Sequence, residues 1–130
     1  MRNMSFSMTT EQIRNRTKTI TRRIGWKFLQ PGQLIQAVEK GMGLKKGEKI
    51  KQLAILRVVS VRREPLMQID FDHTYGVEEC RKEGFGDHPQ LKIPALFSRW
   101  FSKTHGGDAN PEITRIEFEY VDSPEMRGPE

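Results

Sequence analysis

The chain has 130 residues, of which 35% are hydrophobic and 30% charged, and a formal net charge of +5. That length suits a domain with its own core, and the composition excludes a disordered chain. No apolar run approaches the ~20 residues of a membrane span, and Cys80 is the single cysteine, which excludes an internal disulfide. The start, MRNMSFSMTTEQ, lacks the apolar core of a signal peptide, so a cytoplasmic protein is expected.

Met4–Met8 alternates apolar and small polar residues and predicts a short strand. Thr9, with Gln12 three residues on, fits a capping box, followed by a short helix through about Asn15. The next stretch, RNRTKTITRRIGW, concentrates Arg14, Arg16, Lys18, Arg22 and Arg23 with no acid after Glu11. A cluster of this kind holds an anionic or polar nucleotide-like ligand, or else lines a solvated basic surface. Lys18–Ile24 is rich in Thr and Ile and should be extended. Strand alternation does not by itself put Lys18 and Thr21 on one face, so a turn or bulge after the helix would have to bring them together.

Gln30–Gln33 is a turn signal, and Leu34–Glu39 reads as a strand. The basic loop from Gly41 to Lys51 lacks the G-x-x-x-x-G-K-[ST] order of a phosphate-cradling loop. It reads as a mobile basic segment suited to tracking a nucleic-acid backbone. Gln52–Arg63 is the clearest strand, β-branched and long, ended by Glu64–Pro65–Leu66. Asp72–Lys82 predicts a short helix that stops at Gly84. Ile93, Leu96, Phe97, Trp100 and Phe101 recur at helical spacing, so Trp100 reads as packing, and the helix should stop at His105–Gly106–Gly107. Ile113–Val121 alternates strictly and predicts a strand with one buried face. The order β-α-β-β-β-α-α-β belongs to the α+β class and suits a small mixed β-barrel with short helices at its rim. Residues 1–121 form the expected domain, and residues 122–130, rich in proline and charge, a flexible tail.

Charge is divided unevenly. Residues 1–63 carry 15 Lys and Arg against 3 Asp and Glu, whereas residues 64–130 carry 7 against 14. Either the first half offers a positive face to phosphates, or the two halves pair with each other.

Taken in order, these segments resemble the ASCH family, the activating-signal-cointegrator homology branch of the PUA-like fold. The resemblance runs from Ser5 to about Asp122. It is carried by KTITRR at Lys18–Arg23, PGQLIQAV at Pro31–Val38, ILRVVSVRREPL at Ile55–Leu66, KEGF at Lys82–Phe85, the aromatic helix and the closing strand. It implies a PUA-like barrel with a cleft between the strand after the first helix and the helical insertion. PUA-like relatives bind RNA or modified nucleobases there, some small bacterial ASCH proteins are amidohydrolases on acetylated cytidine, and ribonuclease activity has been ascribed to others. By motif, the amidohydrolase positions fall on Lys18 and Thr21 of KTIT and Glu83 of KEGF. Two departures stand out: extra length between Gly84 and Pro111, and Arg22 where the enzyme subfamily tends to be apolar.

The chemistry leaves alternatives open. Thr21 as a nucleophile needs a base, and Lys18 serves only if burial and its cationic neighbours lower its pKa far below the ordinary ~10.4. Otherwise Glu83 is the base and Lys18 a fixed cation, or the two form a plain ion pair closing the barrel mouth. Arg16, Thr19, Arg22, Arg23 and Trp26 are the candidate RNA or nucleoside contacts, with Trp26 either stacking a base or belonging to the core. His73, His88, His105 and Cys80 have no paired ligand spacing, so no metal and no cofactor is expected. The first reading is an RNA- or nucleoside-binding module. Its rivals are a hydrolase using the same cleft (an amidohydrolase on acetylated cytidine, or a ribonuclease) and a protein-interaction module.

Overall fold

The longest element, Gln52–Pro65 (β4), joins the two halves of one sheet in this computed structural model, which describes residues 1–122. Its sequence, QLAILRVVSVRREP, is β-branched and free of glycine, which favours an extended run. Its first part pairs antiparallel with Leu34–Val38 (β3), and its second with Glu112–Tyr120 (β5). Arg2–Ser5 (β1) lies parallel to β3, and Ile20–Arg23 (β2) antiparallel to β5. The strand order is therefore β1-β3-β4-β5-β2. Register shifts at Ala37/Val38 and Val58/Ser60 bend the ladder. The sheet curls into a half-barrel, the α+β architecture the sequence predicts. Its two edge strands meet at one point, where Arg23 Nη2 donates to Ser5 O at 2.6 Å.

Short helices line the rim: Thr10–Arg14 (α1), Gln68–Phe71 (α2), His73–Cys80 (α3) and Pro94–Thr104 (α4). Cys80 leads directly into a π-helical turn at Arg81–Phe85, where Gly84 takes φ 98°. Two local expectations are corrected and one element is added. The first strand ends at Ser5, because Phe6, whose N still donates to Val38 O, leaves the extended region (φ −129°, ψ 45°) and the chain turns through a 3-10 segment at Ser7–Thr9. The capping box does not form: Thr9 makes no side-chain cap bond, and Thr10 Oγ1 donates back to Phe6 O instead. The single-turn α2 was not expected, because four residues are too few to show a period. Asp72 does cap α3, its side chain accepting from Tyr75 N at 3.1 Å.

Two apolar clusters result. One, on the sheet, contains Met4, Phe6, Ile13, Leu56 and Phe118; the other, among the helices, contains Leu66, Ile69, Phe85, Phe97 and Phe101. Each fully buried side chain of this size contributes about 1.5–3 kcal/mol. The charge imbalance between halves is partly answered by pairing across them: Lys18 with Glu83, Arg22 with Glu64 and Glu79, Arg63 with Glu112, Arg16 with Asp122. Among the described residues no helix is long and apolar enough to cross a membrane. The expected tail lies, from residue 123 onward, outside the described residues.

Candidate functional site

Charged side chains fill the seam between the two clusters. Lys18 Nζ stands 6.0 Å from the Phe6 ring of the sheet cluster and 5.8 Å from the Phe85 ring of the helical one. Lys18, Thr21, Arg22, Glu79, Glu83 and Arg115 are all buried. Groups of this kind are tolerated out of water only when paired.

The pairing begins with Lys18, in the link before β2. Arg16 turns the chain with φ 63°, Lys18 N donates to Gln12 O at 3.2 Å, and Lys18 O accepts from the Tyr120 hydroxyl at 2.6 Å. Because Lys18 precedes the strand, the two-residue alternation does not govern it. Lys18 Nζ donates to both Glu83 Oε1 and Glu83 O, each at 2.8 Å. Glu83 Oε2 accepts from the backbone N–H of Arg22 at 2.9 Å, on the side of β2 that has no neighbouring strand. Thr19 N donates to Lys82 O at 2.8 Å, so the π-turn runs along β2. Only glycine fits at position 84: besides its φ, a Cβ there would lie 2.8 Å from Gln12 Cγ and 3.4 Å from Lys18 Cβ.

Arg22 reaches the other way. Its Nη2 donates to Glu79 Oε1 at 2.7 Å, Glu64 Oε2 at 2.9 Å and the Tyr75 hydroxyl at 3.2 Å. Glu79 also accepts from Arg115, at 2.5 Å and 3.0 Å. Glu79 and Glu83 are four residues apart, on one side of the helical run from α3 into the turn. Arg23 Nε donates to Thr21 Oγ1 at 3.0 Å, as expected for residues two apart on a strand.

Burial sets the electrostatics. It pushes the Lys18 amine below its ordinary value; Glu83 opposes this, while Arg23 and Arg22 add to the fall. Burial also lowers Arg23, to about 10, with Glu83 the opposing influence, so its guanidinium stays charged at neutral pH. Arg22 is raised: three carboxylates outweigh its desolvation. Burial alone would raise Glu79, but Arg115 and Arg22 hold it at about 2 instead of 4.5.

A carboxylate depressed by folding contributes stability that is full above its unfolded pKa and lost as pH falls through the folded one. The window here runs from about 4.5 down to about 2, and a shift of that size corresponds to about 3 kcal/mol. Urea unfolding across this window is expected to show wild-type stability falling with acid. Glu79→Gln should be less stable at neutral pH and respond less to acid. Parallel pH dependence in the two proteins would contradict the depressed pKa.

Lys18, Thr21, Arg22, Arg23 and Glu83 line one cavity of about 360 Å³, within the range of small-ligand sites. Phe85, Phe97, Trp100 and His105 also line it. His105 is stacked on Phe101 with centroids 4.0 Å apart, and its Nδ1 lies 2.8 Å from Phe101 O. A carbonyl only accepts, so Nδ1 is the donor in this bond. Two buried atoms, Arg22 Nε and Nη1, have no hydrogen-bond partner, although Nη1 lies 3.7 Å from Glu83 Oε2. Among the described residues Arg23 has no carboxylate partner.

The other sequence-predicted contacts lie outside the cavity lining. Arg16 pairs with Asp122 at 3.0 Å and lies over the Tyr120 ring. Thr19 contributes backbone bonds, accepting from Phe118 N at 3.0 Å. Trp26, at φ 53°, packs against the sheet cluster and the Phe28 ring. Trp100 packs against the helical cluster, as its place on the apolar stripe predicts, and lines the cavity as well. Little in the sequence shows that His105, at the helix stop, also lines it, or that Glu79, which looks like any exposed helix acid, is buried. The one available signal was the i, i+4 spacing of Glu79 with Glu83.

No protein-family model matches the chain, and no curated protein does. Solved structures do. An ASCH domain from Lactobacillus crispatus JV V101 superposes with a TM-score of 0.62 at 15% identity, covering 92% of this chain and 78% of its own. A protein from Enterococcus faecalis V583, described by the family model DUF984, gives a TM-score of 0.60 at 15% identity, over 98% and 80%. At this identity the likeness speaks to the fold, and it agrees with the half-barrel, its rim helices and their order along the chain. The chain therefore has the fold seen in an ASCH domain.

Proposed function

We propose that the chain binds RNA or a modified nucleoside in the cavity between β2 and α4. The observation that carries this reading is the surplus of donors at one wall. Arg22 Nε and Nη1 are buried without acceptors, and Arg23 has no carboxylate partner among the described residues. A buried unsatisfied donor costs about 1–3 kcal/mol, so an acceptor-bearing ligand is favoured there. The rings of Phe85, Phe97, Trp100 and His105 supply an aromatic wall for a base. Titration of the protein with acetylcytidine and with labelled single-stranded RNA tests the reading. Arg23→Ala should cost about 1.5–3 kcal/mol of affinity, the worth of a charged hydrogen bond. Absence of binding to both probes would reject it.

One observation favours a hydrolase as the second reading. Lys18 Nζ donates to Glu83 Oε1 and Glu83 O, which leaves one tetrahedral position for a third N–H or, in the neutral amine, for a lone pair. Burial pushes this amine toward that form. A neutral Lys18 would serve as the base for the Thr21 hydroxyl, which lines the same cavity. Under this reading Lys18→Ala and Thr21→Val both abolish turnover of acetylcytidine, while Thr21→Val changes its affinity by no more than about 1 kcal/mol. Hydrolysis that survives Thr21→Val but not Glu83→Gln would assign the attack to a water activated by Glu83.

A further inference from the structure

A hydrogen-bonded path leads from the cavity to a second basic surface. Arg23 Nη2 donates to Ser5 O at 2.6 Å, and Ser5 Oγ donates to Glu39 O at 3.3 Å. Ser5 lines the cavity and is paired with Val38 across β1 and β3. A Cβ on Gly41 would lie 3.9 Å from Ser5 Cβ. Glu39 N donates to Lys51 O at 3.0 Å. Both roots of the loop 39–51 therefore stand at the Ser5 rim of the cavity.

The loop is organised around Glu48. Its Oε1 accepts from Lys45 N at 2.8 Å and from Lys40 Nζ at 3.4 Å, and its backbone N donates to Lys45 O at 2.9 Å. Gly43 and Gly47 supply the turns, with φ of 69° and 83°. The other loop carboxylate, Glu39, lies 3.9 Å from Lys51 Nζ. Both acids are thus engaged. Lys45, Lys46 and Lys49 are exposed and, among the described residues, have no carboxylate partner. Three such cations on one short loop repel one another and attract a polyanion, whose condensed counterions are released on binding.

Building on the nucleoside-binding reading, we infer that the cavity holds one nucleotide of a single-stranded RNA whose phosphodiester backbone continues across Lys45, Lys46 and Lys49. Continuity with Arg23 through Ser5 favours a chain that occupies the cavity and the loop together, over a partner that meets the loop alone.

The test compares wild type with a Lys45→Ala/Lys46→Ala/Lys49→Ala variant, first shown to melt like wild type. Fluorescence anisotropy follows a short mixed-sequence single-stranded RNA across a salt series, and calorimetry follows acetylcytidine. The variant should bind the RNA about 10–100-fold more weakly at low salt, with the slope of log K against log salt flatter by about 2, near 0.7 for each lost phosphate contact. Its affinity for acetylcytidine should be unchanged. RNA affinity and salt slope equal in the two proteins, with acetylcytidine still bound, would overturn the inference and leave the cavity reading standing. Binding to anionic phospholipid vesicles that the variant loses, with RNA binding unaffected, would overturn it in favour of a membrane surface. No binding of either RNA or acetylcytidine would remove the cavity reading and this inference together.

Discussion

Glu83→Ala is expected to lower folding stability by about 3–5 kcal/mol, the cost of leaving a buried charge without its partner. The substitution strips Lys18 Nζ of one of its two acceptors and the Arg22 backbone N–H of its own, and it removes the carboxylate that lies 3.7 Å from Arg22 Nη1. For a chain of this length the melting temperature should fall by more than about 10 °C. Glu83→Gln keeps the shape and one acceptor oxygen, so it should fall between wild type and the alanine variant. A paired change, Lys18→Met with Glu83→Leu, should recover only part of the loss: it removes the uncompensated ammonium, but the Arg22 backbone N–H still lacks its acceptor. Urea unfolding of the four proteins gives the ranking. A Glu83→Ala midpoint equal to wild type would show that the seam contributes no stability. The paired variant then separates stability from function: it should fold and yet fail to bind acetylcytidine or RNA.

Gly76→Ala is expected to reverse the usual sign of a glycine-to-alanine change in a helix. Ordinarily the exchange gains up to about 1 kcal/mol from backbone entropy. Here a Cβ would be placed 2.0 Å from Ile69 O, 2.9 Å from Ile69 C and 2.8 Å from Pro94 Cγ. The first two of these atoms are backbone, so no side chain can swing aside, and α3 would have to move away from α2 and α4. Overpacking of this kind costs about 1–3 kcal/mol and sometimes more, and the backbone clash puts this site at the upper end. Since α3 carries Glu79 and leads into the turn that carries Glu83, binding should weaken along with stability. Denaturant unfolding checks the sign, and a gain in stability would show that α3 is free to shift.

Elements with a repeating signal were legible in the sequence. Gln52–Arg63 and Ile113–Val121 show β-branching or alternation over many residues, and the structure places β4 and β5 there. Gln68–Phe71 has one turn, too little for any period, and only Ile69 of its residues is buried. Met4–Met8 alternates like a strand, but Phe6 N closes the pairing on Val38 O and Met8 is left 62% exposed at the cavity rim. In the candidate site, Lys18, Thr21 and Glu83 are legible only through the family resemblance that KTIT and KEGF help to carry. Glu79 and Arg115, 36 residues apart, have no local pattern that announces their pairing. Trp26 and Trp100 show the limit of reading aromatics by neighbourhood. Trp26 stands beside the basic run in sequence but packs on the sheet cluster, while Trp100, on an apolar helical stripe, packs on the helical cluster and lines the cavity as well.

The bond from the Arg22 backbone to Glu83 Oε2, with that from Thr19 to Lys82, has a consequence for self-association. Strand β2 ends the sheet, and an uncovered terminal strand offers its free N–H and C=O groups to any other extended chain. The turn that carries Glu83 occupies this lip and keeps an added strand from zipping onto it. The same carboxylate that neutralises the seam thus also serves as an edge guard. Mutational loss of the turn or of its acid would open a template for sheet-to-sheet aggregation, a liability separate from any change in ligand affinity.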